Sequence, residues 1–117
     1  MIPDELRALA DRVVACRHWR PMRGMRDLQG RTWTPDLLWR WHPHDRPDLS
    51  DPATVGCLLA LVREAWADEC AGHTYDEFWN GWFFKSRVRD GDGGNVRILG
   101  QFRSETETLV AALEAAP

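Results

Sequence analysis

Apolar residues recur along this chain with two periods, and the period changes from segment to segment. Leu6, Leu9, Ala10, Val13 and Val14 repeat at helical spacing behind Pro3, Asp4 and Glu5. A proline suits the first helical turn, and early carboxylates face the positive end of the helix dipole. A helix is therefore predicted over 4–16, ending before Pro21. A second and more apolar helix is predicted over 52–68, with Asp51 as N-cap and Pro52 as first helical residue. Val55, Leu58, Leu59, Val62 and Trp66 form its stripe, which Cys57, Leu61 and Ala65 widen. A face that broad suits a helix packed on a sheet. The third helix, 105–116, opens on a capping box of Ser104 with Glu107 and carries Leu109, Ala112, Leu113 and Ala116 on one side.

Between the helices the period falls to two. Residues 22–34 read as a strand or hairpin with turns at Gly24 and Gly30, and 37–42 (Leu-Leu-Trp-Arg-Trp-His) as a stronger strand. Pro43, Pro47 and Pro52 mark a loop. Residues 70–74 read as a loop around Gly72, and 75–88 as an aromatic β region. Asn80-Gly81 suits a tight hairpin. The preferred reading is one strand over 81–88 with Trp82, Phe84, Ser86 and Val88 on one face, because 90–95 (Asp-Gly-Asp-Gly-Gly-Asn) is the stronger turn. A strand over 96–102 would set Val96, Ile98, Gly100 and Phe102 opposite Arg97, Leu99 and Gln101. The resulting order, α-β-β-α-β-β-α, predicts a single α+β domain over 1–117, an antiparallel sheet packed against helices.

Composition adds seven tryptophans to this picture, at 19, 33, 39, 41, 66, 79 and 82. A tryptophan buries a large area yet needs a partner for its indole N–H, so it serves either a core or an anchor on a binding surface. Trp66 falls on a helix face and is assigned to the core; Trp39, Trp41 and Trp82 fall on strand faces. Trp33 and Trp79 fall near strand ends, where an indole is half wet. Trp19 lies in a cationic segment, which makes it the first candidate for binding and Trp79 the second. The net charge of −3 is unevenly spread. Residues 1–46 hold nine Arg against six Asp and Glu, and residues 47–117 hold six Lys and Arg against twelve Asp and Glu. Three cysteines are too few, and odd in number, for a disulfide framework, which points to the cytoplasm. No apolar run is long enough to cross a bilayer, so no membrane partner is expected.

Candidate chemistry is sparse. His42 and His44, with Cys70 and His73, supply four zinc-compatible groups in two short-spaced pairs, which suits a structural zinc site only if they converge. The turn at 90–95 departs from a calcium loop at its fifth, sixth and twelfth positions. Nothing in the spacing fixes a cysteine to a histidine, and Cys57 on a helix flank reads as an inert core residue. No enzymatic activity and no cofactor are predicted. The most suggestive segment is 17–26, where Arg17, Arg20, Arg23 and Arg26 recur every third residue with Trp19, Met22 and Met25 between them. Guanidiniums beside aromatics suit phosphate contact and base stacking, and equally suit a protein interface. A structural connector, with its guanidiniums paired to carboxylates, is the alternative. The acidic run Glu64, Asp68, Glu69, Asp76 and Glu77 suits a solvated face, or an imitation of nucleic-acid phosphates.

Four stretches carry a resemblance. They are Glu5-Leu-Arg-Ala-Leu-Ala-Asp-Arg-Val13; Cys16-Arg-His-Trp-Arg-Pro-Met22 with Gly24-Met25; the segment from Asp51 to Trp66; and the segment from Ser104 to Ala115. Together they resemble small proteins encoded by bacteriophages and prophages, and the chain is similar to the wider phage ABA-sandwich group. That resemblance covers most of the chain except 69–103 and implies helices on both sides of a small sheet. It brings no catalytic residues to carry over. It implies a phage accessory protein in a bacterial cytoplasm that binds a host protein complex, as anti-CRISPR inhibitors of bacterial defence do. Partner-binding candidates are Arg17, Trp19, Arg20, Arg23, Arg26 and Trp79, and nucleic-acid binding through 17–26 is the alternative.

Overall fold

Helical and extended segments separate along the chain as the two periods predict. The computed structural model describes residues 3–34, 44–88 and 95–117. It contains helices α1 (Pro3–Val14), α2 (Pro52–Ala65) and α3 (Glu105–Ala115), and strands β1 (Gly72–Asp76), β2 (Gly81–Val88) and β3 (Asn95–Phe102). The strands form an antiparallel sheet in the order β1-β2-β3, so the fold is α+β. The predicted strand 37–42, with Trp39, Trp41 and His42, lies outside the described residues, as do residues 90–94 of the 90–95 turn. The chain divides into two compact units, Met1–Leu58 and Leu59–Pro117.

In the first unit α1 buries Leu9, Ala10 and Val13, three members of its predicted stripe. The hairpin predicted over 22–34 is present in reduced form: Asp27 N–H donates to the Arg31 carbonyl, Trp33 N–H to Met25 and Gly24 N–H to Trp33, and the predicted turn glycines Gly24 and Gly30 are both left-handed. Two isolated bridges, Arg26 with Thr32 and Asp27 with Pro47, are the extended pairings there. A side chain holds its turn as well. Asp27 Oδ1 accepts the N–H groups of Gln29 and Arg31 at 3.0 and 2.8 Å, tying 27–31 into a turn closed by left-handed Gly30. Arg31 then donates to Asp27 Oδ2 at 2.8 Å and to Asp45 Oδ1 at 3.3 Å. Both carboxylates are almost fully buried, at 1% and 3% exposure, so each needs that guanidinium. Thr54 closes the unit. Its hydroxyl donates to Asp51 and accepts the N–H of Arg26, while its own N–H donates to the Asp51 cap.

The buried side of α2 is rotated from its predicted stripe. Thr54, Leu58, Leu61 and Val62 are buried, and Val55 and Leu59 only half so. The helix was expected to reach residue 68 but stops at Ala65. Ala67 is left-handed (φ 51°), Asp68 N–H donates to Arg63 and Ala67 N–H to Glu64. That pair of bonds is a Schellman motif with alanine in the position that favours glycine.

In the second unit Trp66 leaves the end of α2 and sits 5% exposed, its ring 5.2 Å from that of Phe84 and its indole N–H donating to Ala112 of α3 at 2.8 Å. The core assignment of Trp66 holds. Ser104 caps α3 by accepting the N–H of Glu107. The helix lies on the sheet and buries Thr108, Leu109, Val110, Ala112 and Leu113.

The β region carries two corrections. Residues 72–74, predicted as loop, belong to β1, and β1 pairs with β2 from Gly72–Lys85 to Asp76–Gly81. The predicted strand 81–88 and the hairpin at Asn80-Gly81 are thus both present, the hairpin with a longer loop over 77–80. In β3 the alternation breaks, because Trp82 pairs with Phe102 but Phe83 with Gly100. Gln101 is the extra residue of a bulge, which flips the parity and brings Leu99 to the same face as Phe102. Phe83 lies over Gly100, where any β-carbon would overlap its ring.

Candidate functional site

Alternation along β1 and β2 sorts their side chains into two faces. On one face the aromatic residues form a graded series from dry to wet. Phe84 is fully buried, His73 and Trp82 are half-buried, and Tyr75 is exposed. Trp82 touches two of its neighbours, with ring centroids 5.7 Å from His73 and 5.7 Å from Tyr75. His73 Nε2 lies 2.8 Å from Glu105 Oε1, while Nδ1 is buried with no partner among the described residues. Because a carboxylate only accepts, Nε2 is the donor in this contact.

The series ends at the loop 77–80, where Phe78 and Trp79 stand 85% and 60% exposed. Their rings meet edge to face at 5.1 Å. The loop beneath them is held by polar groups. Asp76 Oδ1 accepts the N–H groups of Phe78 and Trp79 at 2.9 and 3.2 Å. The Tyr75 hydroxyl donates to Asn80 at 2.6 Å, Asn80 takes the left-handed conformation (φ 52°), and Gln101 donates to the Trp79 carbonyl. None of these bonds uses the Phe78 or Trp79 side chain. Two large rings are thus presented to solvent on an ordered turn, the arrangement expected of an interface anchor. Exposure of Trp79 exceeds the half-wet state predicted for it. Phe78 and Tyr75 were not foreseen, although the Asp76 turn that presents Phe78 follows from an Asx pattern.

The opposite face of the same hairpin holds a groove of about 470 Å³, whose lining includes Asp68, Cys70, Gly72, Thr74, Lys85 and Arg87. Asp68 accepts the N–H groups of Cys70 and Arg87 and the Ser86 hydroxyl. The Arg87 N–H first, then that of Cys70, holds its carboxyl below the usual range. Cys70 borders this groove while His73 faces Glu105 on the other side of the sheet, so the Cys70/His73 pair does not converge. His44 is exposed beside Asp45, and His42 lies outside the described residues. Among the described residues no group of three or more His, Cys, Asp or Glu is placed to hold a metal ion.

In the first unit, residues 17–26 form neither helix nor strand. Arg17, Arg20, Arg23 and Arg26 are exposed, Trp19 is half-buried, and Met25 is fully buried beneath the Met22 N–H, which its sulfur accepts. The backbone is tied down at both ends: Trp19 N–H donates to Cys16, Cys57 Sγ–H to the Arg23 carbonyl, and Arg26 N–H to Thr54. Burial, with Asp51 as the lesser cause, pushes the Cys57 thiol up, in line with an inert residue. The sequence ranks Trp19 above Trp79 as a binding residue; in exposure the order is reversed. No described helix is long and apolar enough to cross a membrane.

Comparison of the chain with protein-family models, with curated proteins and with solved structures finds no match.

Proposed function

We propose that this is a non-enzymatic binding protein that docks onto a partner protein through the aromatic tip of the β1–β2 hairpin. The observation that carries this reading is the exposure of Phe78 and Trp79 on a turn already ordered by Asp76, Asn80 and Gln101. Ordering a loop on binding costs affinity, and here that cost is met in the free chain. Burying both rings against a partner would contribute roughly 1.5–3 kcal/mol each. The resemblance to phage-encoded proteins gives this reading its setting: an accessory protein in the bacterial cytoplasm acting on a host protein complex, with inhibition of a defence system as the first activity to assay. Affinity capture from bacterial lysate by tagged wild type and by Phe78→Ala/Trp79→Ala tests it. Loss of the captured proteins in the double variant is expected; capture unchanged by it sinks the reading.

A second reading, nucleic-acid binding through 17–26, is favoured by the outward placement of Arg17, Arg20, Arg23 and Arg26. It requires DNA or RNA binding that weakens with salt and disappears in Arg20→Ala/Arg23→Ala/Arg26→Ala.

A further inference from the structure

The charge around the hairpin tip narrows the class of partner. From Glu64 to Phe84 the sequence holds five carboxylates (Glu64, Asp68, Glu69, Asp76 and Glu77) and neither lysine nor arginine. Two of the five directly precede the aromatic pair. Asp76 spends one carboxylate oxygen on the backbone of the turn, whereas Glu77 is exposed directly before Phe78. Lys85 pairs with Gly72 at the far end of the hairpin. Arg103, one residue past the Trp82–Phe102 pair, is the cation that the strand register brings to this end, against Asp76, Glu77 and Glu105. Trp79 presents an indole, the aromatic ring with the strongest attraction for cations, and among the described residues its N–H donates to nothing.

From this combination we infer that the tip captures arginine side chains from a basic segment of a separate partner protein. The guanidinium stacks on the Trp79 indole, the Glu77 carboxylate neutralises it, and Phe78 buries its ring against the aliphatic stem. Arginine fits better than lysine, because its planar and weakly hydrated head stacks on a ring while still donating to a carboxylate. The inference rests on the tip being the binding surface and specifies the chemistry it selects.

A hepta-arginine peptide serves as probe, with hepta-lysine and hepta-glutamate as controls, titrated into the full chain labelled with nitrogen-15. Saturable shifts centred on the Trp79 indole and the amides of 77–80 are expected, with hepta-lysine weaker and hepta-glutamate silent. Trp79→Ala should weaken hepta-arginine binding about tenfold, and Glu77→Gln about threefold. Both side chains are exposed and hold no structural hydrogen bond in the turn, so each variant keeps the fold. Shifts centred on 64–69 instead, or affinity indifferent to Trp79→Ala, overturn the inference. So do tip signals that move with protein concentration alone, since a second copy would then be the occupant. A tip that ignores the peptide while capture still depends on Trp79 overturns this inference alone. Capture that survives Phe78→Ala/Trp79→Ala overturns the reading beneath it.

Discussion

The two units of the chain are stabilised by different physics. Residues 1–58 are organised by polar clamps: one aspartate wraps a turn, one guanidinium bridges two buried carboxylates, and one threonine ties the 17–26 segment to a helix cap. Residues 59–117 are organised by apolar contact beneath a sheet, with Trp66 against Phe84 and α3 across the strands. Polar clamps give a single geometry, because a buried charge without its partner is costly. Apolar contact is less directional, which allows a bulge at Gln101 and an outward-facing loop without loss of the core.

Substitutions can break or sharpen this contrast. The largest effect is expected in the apolar unit. Trp66→Ala removes a buried ring and its hydrogen bond to the Ala112 carbonyl, and should cost about 3–5 kcal/mol in urea unfolding. A variant as stable as wild type would mean that this core does not depend on its tryptophan. Next, Asp27→Ala strands two backbone N–H groups and removes one of the carboxylates that Arg31 bridges. It should cost about 2–3 kcal/mol, whereas Leu28→Ala, at an exposed neighbour, should stay within about 0.5 kcal/mol. Equal losses at both positions would refute the clamp.

A smaller effect of opposite sign is expected at the α2 terminus. Ala67→Gly relieves a left-handed alanine and should raise stability by about 1 kcal/mol. The smallest effect is a pH dependence. Asp68 has its carboxyl lowered in the folded chain, so the stability it supplies is present above the unfolded carboxylate range and is lost as pH falls through the folded value. The difference in melting temperature between wild type and Asp68→Asn should therefore be present at neutral pH and shrink in acid. A difference constant with pH would assign the effect to geometry instead.

Legibility in the sequence follows the same division. All three helices are readable, because caps at Asp51 and Ser104 and apolar spacing act locally. The strands β2 and β3 are readable from alternation. β1 is not, because Gly72, His73 and Thr74 carry no apolar signal of their own and form a strand only by pairing with β2. The bulge is invisible for a related reason: Gln101 is inserted by the fit of Phe83 over Gly100, a contact between strands. In the first unit, the pattern over 22–34 suggests a strand or hairpin, and a short hairpin with its glycine turns is there; the Asp27 side chain that ties its turn is not legible in the pattern. Burial of Thr54 also escapes a stripe drawn from apolar residues. At the tip, Trp79 is identifiable as a residue near a strand end. Its degree of exposure is not, since that depends on the turn Asp76 builds with Asn80 and Gln101.

That turn separates two tasks that share one stretch of chain. Asp76, Asn80, Gln101 and two backbone N–H groups fix the path of residues 77–79, while the side chains at those positions take no part in holding it. Positions 77, 78 and 79 are therefore an interchangeable cassette on a constant frame. A library randomised at these three sites should yield mostly folded members whose partner preference changes independently of stability. The same independence would let a lineage under pressure from a shifting target rewrite its specificity without first repairing its fold.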